Sequence, residues 1–314
     1  AGRQHAPPWM ERLVTHAFLG ASLGSPELLR IQRQIQSWPA PQDLTGERQA
    51  TLLKRKIPFI NRRQLRRALV HLETGTAREQ PIFVVNGPSG SGKSYTRWYV
   101  DHFIFTRAAA PPICAHHFRF QPDQALALGP VQLAKELVSS LGRDPSSVPT
   151  ADTNMKLYVA QLAAWVLNEA VRSGNTNWFV LDGFRVTDGT PDTSRPRLDT
   201  MDFLIALSDK ITSGTYVERC RLILTGFNRA LLTVDPGKLD EELLGPCTPA
   251  EISACVREAL SIDGLVIPVE KLEPFVTNDL PTGSARMTEL NSRLRLLVHA
   301  VSRRNNTFKA RLGL

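Results

Sequence analysis

The sequence is poor in cysteine and in uninterrupted apolar runs, and each shortage closes off a class of protein. Its four cysteines, Cys114, Cys220, Cys247 and Cys255, form no C-x-x-C pair and no zinc spacing. Neither a disulfide framework nor a zinc module is expected to organise the fold. Thiols used this sparingly fit a reducing compartment, and the expected location is the cytoplasm. No apolar stretch approaches the roughly 18 residues of a membrane-spanning helix, so no membrane association is expected. The first residues also lack the basic-then-apolar pattern of a secretory signal. What remains is ordinary for a globular chain, with 42% apolar and 22% charged residues over a length of 314. That is enough for one large domain or two ordinary ones. Charge is less ordinary. A net charge of +8 gathers in Lys54-Arg55-Lys56, Arg62-Arg63, Arg66-Arg67 and Arg303-Arg304. Such patches attract nucleic acid, acidic partners or nucleotide phosphate, or else form a solvated helix face.

The strongest local signal is Gly87-Pro88-Ser89-Gly90-Ser91-Gly92-Lys93-Ser94, which has the spacing G-x-x-x-x-G-K-[ST]. Before it, Ile82-Phe83-Val84-Val85 reads as a buried parallel strand. After it, Tyr95 to Thr106 has no Pro or Gly and reads as a helix. Strand, glycine loop and helix in this order are what a phosphate loop requires. Glycines let the backbone wrap an anion with its N–H groups inward, at a helix end that already favours negative charge. Lys93 can reach β- and γ-phosphates, and Ser94 can offer its hydroxyl to Mg2+. Tyr95 follows directly and joins the nucleotide-binding candidates.

Trp178-Phe179-Val180-Leu181-Asp182 is an apolar strand ending in a carboxylate, the form of a Walker B strand that helps to hold Mg2+. Gly183 stands where many hydrolytic ATPases carry an acid that orients water, so slow hydrolysis is expected. Asp188 falls in an irregular loop. Arg221-Leu222-Ile223-Leu224-Thr225 reads as another buried strand, followed by Gly226-Phe227-Asn228-Arg229. Thr225 or Asn228 could orient water there, and Arg229 could contact phosphate.

Upstream, Pro58-Phe59-Ile60-Asn61-Arg62 leads into a helix with Leu65, Ala68, Leu69 and Leu72 on one face. Its apolar residues could wrap an adenine ring and its guanidinium could aim at phosphate, although a core-anchoring loop fits as well. Residues 1–50 read as a helical extension. His116 and His117 lie on opposite faces of the strand Ile113 to Phe120, which argues against a shared metal. From Leu243 the chain turns helical, opening with a capping box at Thr248-Pro249-Ala250-Glu251. A last helix begins at Pro281-Thr282-Gly283-Ser284-Ala285-Arg286, where Arg286 could swing over a bound triphosphate.

This order of landmarks resembles the AAA+/STAND branch of the P-loop ATPases over about residues 57–302. The resemblance implies a three-layer α/β sandwich with a parallel sheet, followed by a helical lid. It implies domains at 51–245 for the nucleotide and 246–314 for the lid. It further implies ATP and Mg2+ as ligands, an adenine pocket around Phe59, Ile60, Asn61 and Arg62, and sensor positions at Thr225 or Asn228 and at Arg286. Asn61-Arg62-Arg63 departs from the Gly-Arg-Glu often found in STAND proteins, and Gly183 departs from most active AAA+ enzymes. The expected function is a slow, nucleotide-controlled switch in signalling or defence, assembling with itself or with an effector. The alternative is a DNA-associated ATPase that helps replication or transposition. A small-molecule kinase is disfavoured because no acceptor-site acid is evident.

Overall fold

The structure, a computed structural model, describes residues 51–53, 57–60, 62–74, 80–106, 112–186 and 196–262, with a few positions between 268 and 296. The N-terminal extension, Asn61, Asp188 and the segment carrying Arg286 lie outside the described residues.

A parallel sheet of five strands forms the middle layer, in the order β4-β5-β6-β3-β7. The strands are β3 (Ile82–Asn86), β4 (Ile113–Arg119), β5 (Thr176–Val186), β6 (Cys220–Phe227) and β7 (Leu239–Leu243). A short antiparallel pair, β1 (Leu52–Leu53) and β2 (Ile57–Pro58), stands apart from it. The central strands β3 and β6 are buried at every position. That explains their continuous apolar runs, since helices cover both faces.

Alternation along the strands divides the core in two. Ile82, Val84, Phe179, Leu181, Leu222 and Leu224 face one helical layer. It is built from α4 (Pro130–Ser140), α5 (Met155–Arg172) and α6 (Leu198–Ile211), with the short α3 (Pro122–Ala127) at its edge. Phe83, Val85, Trp178, Val180 and Ile223 face the other layer, made by α1 (Arg63–Thr74) and α2 (Thr96–Phe105). The result is the three-layer α/β sandwich of a P-loop nucleotide-binding fold.

The strand order also locates a crevice. The chain leaves β3 toward β4 at one edge of the sheet and leaves β6 toward β7 at the other. Adjacent strands whose connections diverge leave a cleft at their C-terminal ends, where ligands of open α/β sheets bind. Gly87 begins at that end of β3.

A third apolar cluster lies beyond the sheet. It joins Leu52 and Ile60 to Cys247, Ile252, Cys255, Val256 and Leu260, and to Leu272, Val276, Leu290 and Leu294. Its main element is α7 (Pro249–Ile262). This helix starts as its sequence predicts. The Thr248 N–H donates to Glu251 Oε2 at 2.9 Å, and the Glu251 N–H donates to Thr248 Oγ1 at 3.3 Å. Glu258 then accepts from the Thr51 and Leu52 N–H groups at 2.7 and 3.2 Å, tying α7 to β1.

Two elements differ from the sequence expectation. β7, Leu-Asp-Glu-Glu-Leu, carries three acids in five positions and matches no strand pattern. It forms all the same because it lies at a sheet edge, where polar residues can reach solvent, and because one of the acids, Glu242, has a buried partner. β5 runs past Asp182 to Val186, with a register irregularity between those residues.

Candidate functional site

The loop after β3 has the backbone that a phosphate cradle needs. Gly87, Gly90 and Gly92 adopt φ values of 146°, 79° and 91°, a region that side chains with a Cβ rarely enter. Gly87 has no room for one. A Cβ there would stand 2.9 Å from the Leu244 side chain and 3.0 Å from Ser91 Oγ. The loop closes with a turn from the Ser91 N–H to the Pro88 carbonyl, and then a 3-10 turn over Lys93–Tyr95 leads into α2. Lys93 reaches back across the loop, its Nζ donating to the Gly87 and Pro88 carbonyls at 2.7 and 2.8 Å. The ammonium is therefore held over the loop mouth rather than left to wander in solvent. Ser91 Oγ is buried with no hydrogen-bond partner. An orphaned hydroxyl beside three positive-φ glycines and a clamped lysine suits an anion, and these residues fit a nucleotide phosphate chain.

Asp182 sits on β5 directly after the buried run Trp178 to Leu181. It is level with Thr225 on β6, which is in turn level with Val85 on β3. With strands about 4.8 Å apart, its carboxylate lies two strands from the glycine loop. It is 6% exposed, and Thr225 Oγ1 donates to its Oδ1. The hydroxyl of Thr225 is thus committed to orienting Asp182. Ser94 and Asp182 are the residues that would hold Mg2+. Among the described residues no group of three or more His, Cys, Asp or Glu side chains comes together. Mg2+ takes one or two carboxylates and completes its shell with phosphate oxygens and water.

Gly183 now has a physical reason. Its φ is +116°, and a Cβ would fall 2.2 Å from the Phe120 carbonyl oxygen. The Phe120 N–H donates to the Asp182 carbonyl at 2.8 Å, which locks the end of β4 against this point. The fold leaves no space for an acid after Asp182. Gly183→Glu is therefore expected to lower stability by about 2 kcal/mol or more through backbone strain and overlap, without raising ATP turnover. A thermal melt alongside a phosphate-release assay checks both; a stable variant with faster release would contradict this geometry.

Arg62 is 4% exposed and is packed inside the protein. Its Nε donates to Glu242 Oε2 at 2.6 Å, its Nη2 to Thr96 Oγ1 at 2.7 Å, and its Nη1 reaches the Gly92 carbonyl at 3.4 Å. Glu242, 3% exposed, also accepts from the Leu65 N–H at 3.1 Å. Burial pulls the Arg62 pKa below the usual arginine range, and the Glu242 carboxylate opposes that shift. Rather than pointing at open space for a phosphate, this guanidinium joins α1, β7, α2 and the glycine loop from beneath. Phe59 is likewise enclosed. Its ring stacks on Tyr99 at 4.6 Å, and the Arg62 and Arg66 guanidinium carbons lie 5.1 Å from its centre. Ile60 packs into the cluster around α7. As placed, the Phe59-Ile60-Arg62 segment braces the loop and does not line an open pocket.

The other candidates sit as follows. Tyr95 meets Trp98 edge-on at 4.8 Å. Asn228 accepts from the Ala230 N–H and caps the 3-10 turn after β6. Arg229 pairs with Glu241 at 3.5 Å on the surface. His116 bonds Asn177 at 3.0 Å while His117 bonds Asp101 at 2.6 Å, on opposite faces of β4. Burial pushes the thiols of Cys220, Cys247 and Cys255 up to about 12, so they are packing residues rather than nucleophiles. Glu242 and Leu244 are the contributors that the sequence did not announce.

No protein-family profile matches this chain, and the search of curated proteins returns no significant match. Among solved structures, a chain of the E. coli MS115-1 HORMA:CdnC:Trip13 complex is similar over 84% of this chain and 92% of its own, with 11% identity and a TM-score of 0.44. A Walker-type ATPase of Pyrococcus abyssi covers 81% of this chain and 70% of itself, with 14% identity and a TM-score of 0.43. A STAND protein with a tetratricopeptide repeat sensor from Pyrococcus horikoshii covers 78% of this chain but only 31% of itself, with 14% identity and a TM-score of 0.37. Likeness at this level leaves the reading of the site to its own geometry.

Proposed function

We propose that this chain binds ATP at Gly87–Ser94 and uses the bound nucleotide to set the position of its C-terminal helices, acting as a slow switch of AAA+/STAND character. One observation carries the proposal. Gly87 lies so close against Leu244 that a Cβ added there would stand 2.9 Å from the Leu244 side chain, and the Leu244 N–H donates to the Asn86 carbonyl at 2.9 Å. Leu244 lies at the end of β7, a few residues before α7. A change in the loop therefore pushes directly on the chain entering the helical part.

In this reading the loop amides and Lys93 bind the phosphates, while Ser94 and Asp182 hold Mg2+. Thr225 keeps the Asp182 carboxylate turned. The metal, when bound, offsets phosphate charge. Arg62 and Glu242 hold the loop and β7 in one geometry, so that binding at one is felt at the other. Arg286, which the sequence pattern puts at the start of a last helix, is the proposed contact from the helical side. The lack of an acid after Asp182 favours a switch over a motor. A signalling or defence setting, with self-assembly or an effector as the output, follows from the family resemblance.

A switch of this kind needs the triphosphate to favour one arrangement by a few kcal/mol. Mass measurement of the purified chain with a non-hydrolysable ATP analogue, with ADP and without nucleotide tests it. The expected result is a larger assembly with the analogue alone, together with turnover well below about 10 per second. Identical mass in all three states with brisk turnover would contradict the switch and leave an ordinary ATPase.

A further inference from the structure

We propose that the exposed face of α1 is a binding site for the phosphodiester backbone of a nucleic acid. A groove of about 330 Å³ lies on this helix, lined by Arg63, Arg66, Arg67, Val70 and His71. Arg63, Arg67 and His71 follow each other at four-residue spacing, which sets two guanidinium groups and an imidazole about 6 Å apart along the helix axis. Arg63 and Arg67 are exposed, and among the described residues neither makes a hydrogen bond or an ion pair. Arg66 forms the floor. It is 8% exposed, donates to the Phe59 carbonyl at 3.0 Å and lies 4.9 Å from the centre of the Tyr99 ring. The groove thus has one rigid cation and two adaptable ones, with no acid among the described residues that line it.

This arrangement works against the helix that carries it. The first turn of α1 holds no acidic residue, although helix N-termini favour negative charge and repel cations. Like charges four residues apart cost further stability. An anion seated on the groove would relieve both penalties at once. The lining cations are arginines, whose planar forks match phosphate oxygens in pairs where lysine supplies only a point charge. Two such exposed forks at one-turn spacing over a fixed third suit a chain of evenly spaced phosphates better than the irregular carboxylates of an acidic protein. The site stands apart from the nucleotide loop and does not depend on the reading of that loop.

The test is fluorescence anisotropy of a labelled oligonucleotide of about 20 nucleotides, single-stranded and duplex, between about 50 and 200 mM salt. Wild-type protein is compared with the Arg63→Glu, Arg67→Glu variant, and unlabelled poly-glutamate serves as competitor. The wild type is expected to bind at low salt and to lose affinity steeply as salt rises. The variant is expected to bind at least about tenfold more weakly, with a log–log salt slope reduced by about 2, one for each lost phosphate contact. Arg63→Gln, Arg67→Gln serves if charge reversal impairs folding, and a thermal melt and ATP titration confirm that the loop is intact. No binding of either strand form at low salt would overturn the proposal. So would binding untouched by the substitutions, or poly-glutamate competing as well as the oligonucleotide. Preference for one strand form assigns the source without affecting the site.

Discussion

Lys93→Ala is expected to weaken ATP binding at least about 100-fold, or by ~3 kcal/mol, leaving little that a titration can measure. The magnitude follows from what the ammonium does. It is held over the loop by two carbonyls, Gly87 and Pro88, so that no ordering cost remains when a phosphate arrives. A charge-assisted contact in such a half-buried site exceeds a neutral one about twofold, and the substitution leaves β- and γ-oxygens without their only neighbouring side-chain cation on the loop. ADP should suffer less, because one of the two contacted phosphates is missing from it. Stability should barely change, since the side chain gives up hydrogen bonds to a partly solvated loop and no apolar core. Calorimetric titration of wild type and variant with ATP and ADP, beside a thermal melt, reads all three. Unchanged ATP affinity would show that the loop is only a turn.

The second large effect concerns the ion pair beneath the loop. Arg62→Ala is expected to cost about 3–5 kcal/mol, because it strands the Glu242 carboxylate in the core. In a domain of this size that lowers the melting temperature by roughly 10 °C. The paired replacement Arg62→Met, Glu242→Leu should recover most of that loss, since well-packed apolar residues often replace a buried pair without penalty. Nucleotide affinity is expected to stay low in the paired variant. The donors to Thr96 and to the Gly92 carbonyl are gone, and the loop has lost the brace that holds its geometry. Stability and binding therefore part company. If the paired variant regains both, the ion pair is structural only; if Arg62→Ala leaves stability unchanged, the buried pair is not formed.

The contrast between these two sites shows where sequence reading succeeds. The surroundings of Lys93 were legible because they lie within a few residues of it: a β-branched strand before it, glycines at fixed spacing and a helix after it. Asp182 and Thr225 were legible for a related reason, since continuous apolar runs announce buried parallel strands and a polar residue at such a strand's end stands out. Arg62 was seen as an arginine near the nucleotide, but its partner Glu242 is 180 residues away. No local pattern connects the two. β7 hides for the same reason, as its acids read as surface until Arg62 is known to be buried beside one of them. The Gly183 departure is visible as a missing acid, yet its cause is the backbone of Phe120, whose carbonyl oxygen the folded sheet sets 2.2 Å from where a Cβ on Gly183 would stand. Contacts formed by topology leave no trace in spacing.

The central claim is that an anion gripped between Gly87 and Ser94 is felt by the helices that follow Leu244. Amide hydrogen exchange, with and without ATP and Mg2+, tests it most directly. The account predicts slower exchange in the Gly87–Thr96 segment and, in the same sample, changed exchange across α7. Unchanged exchange in the glycine loop at saturating ATP would contradict the binding site; protection of the loop with none of it reaching α7 would contradict the switch.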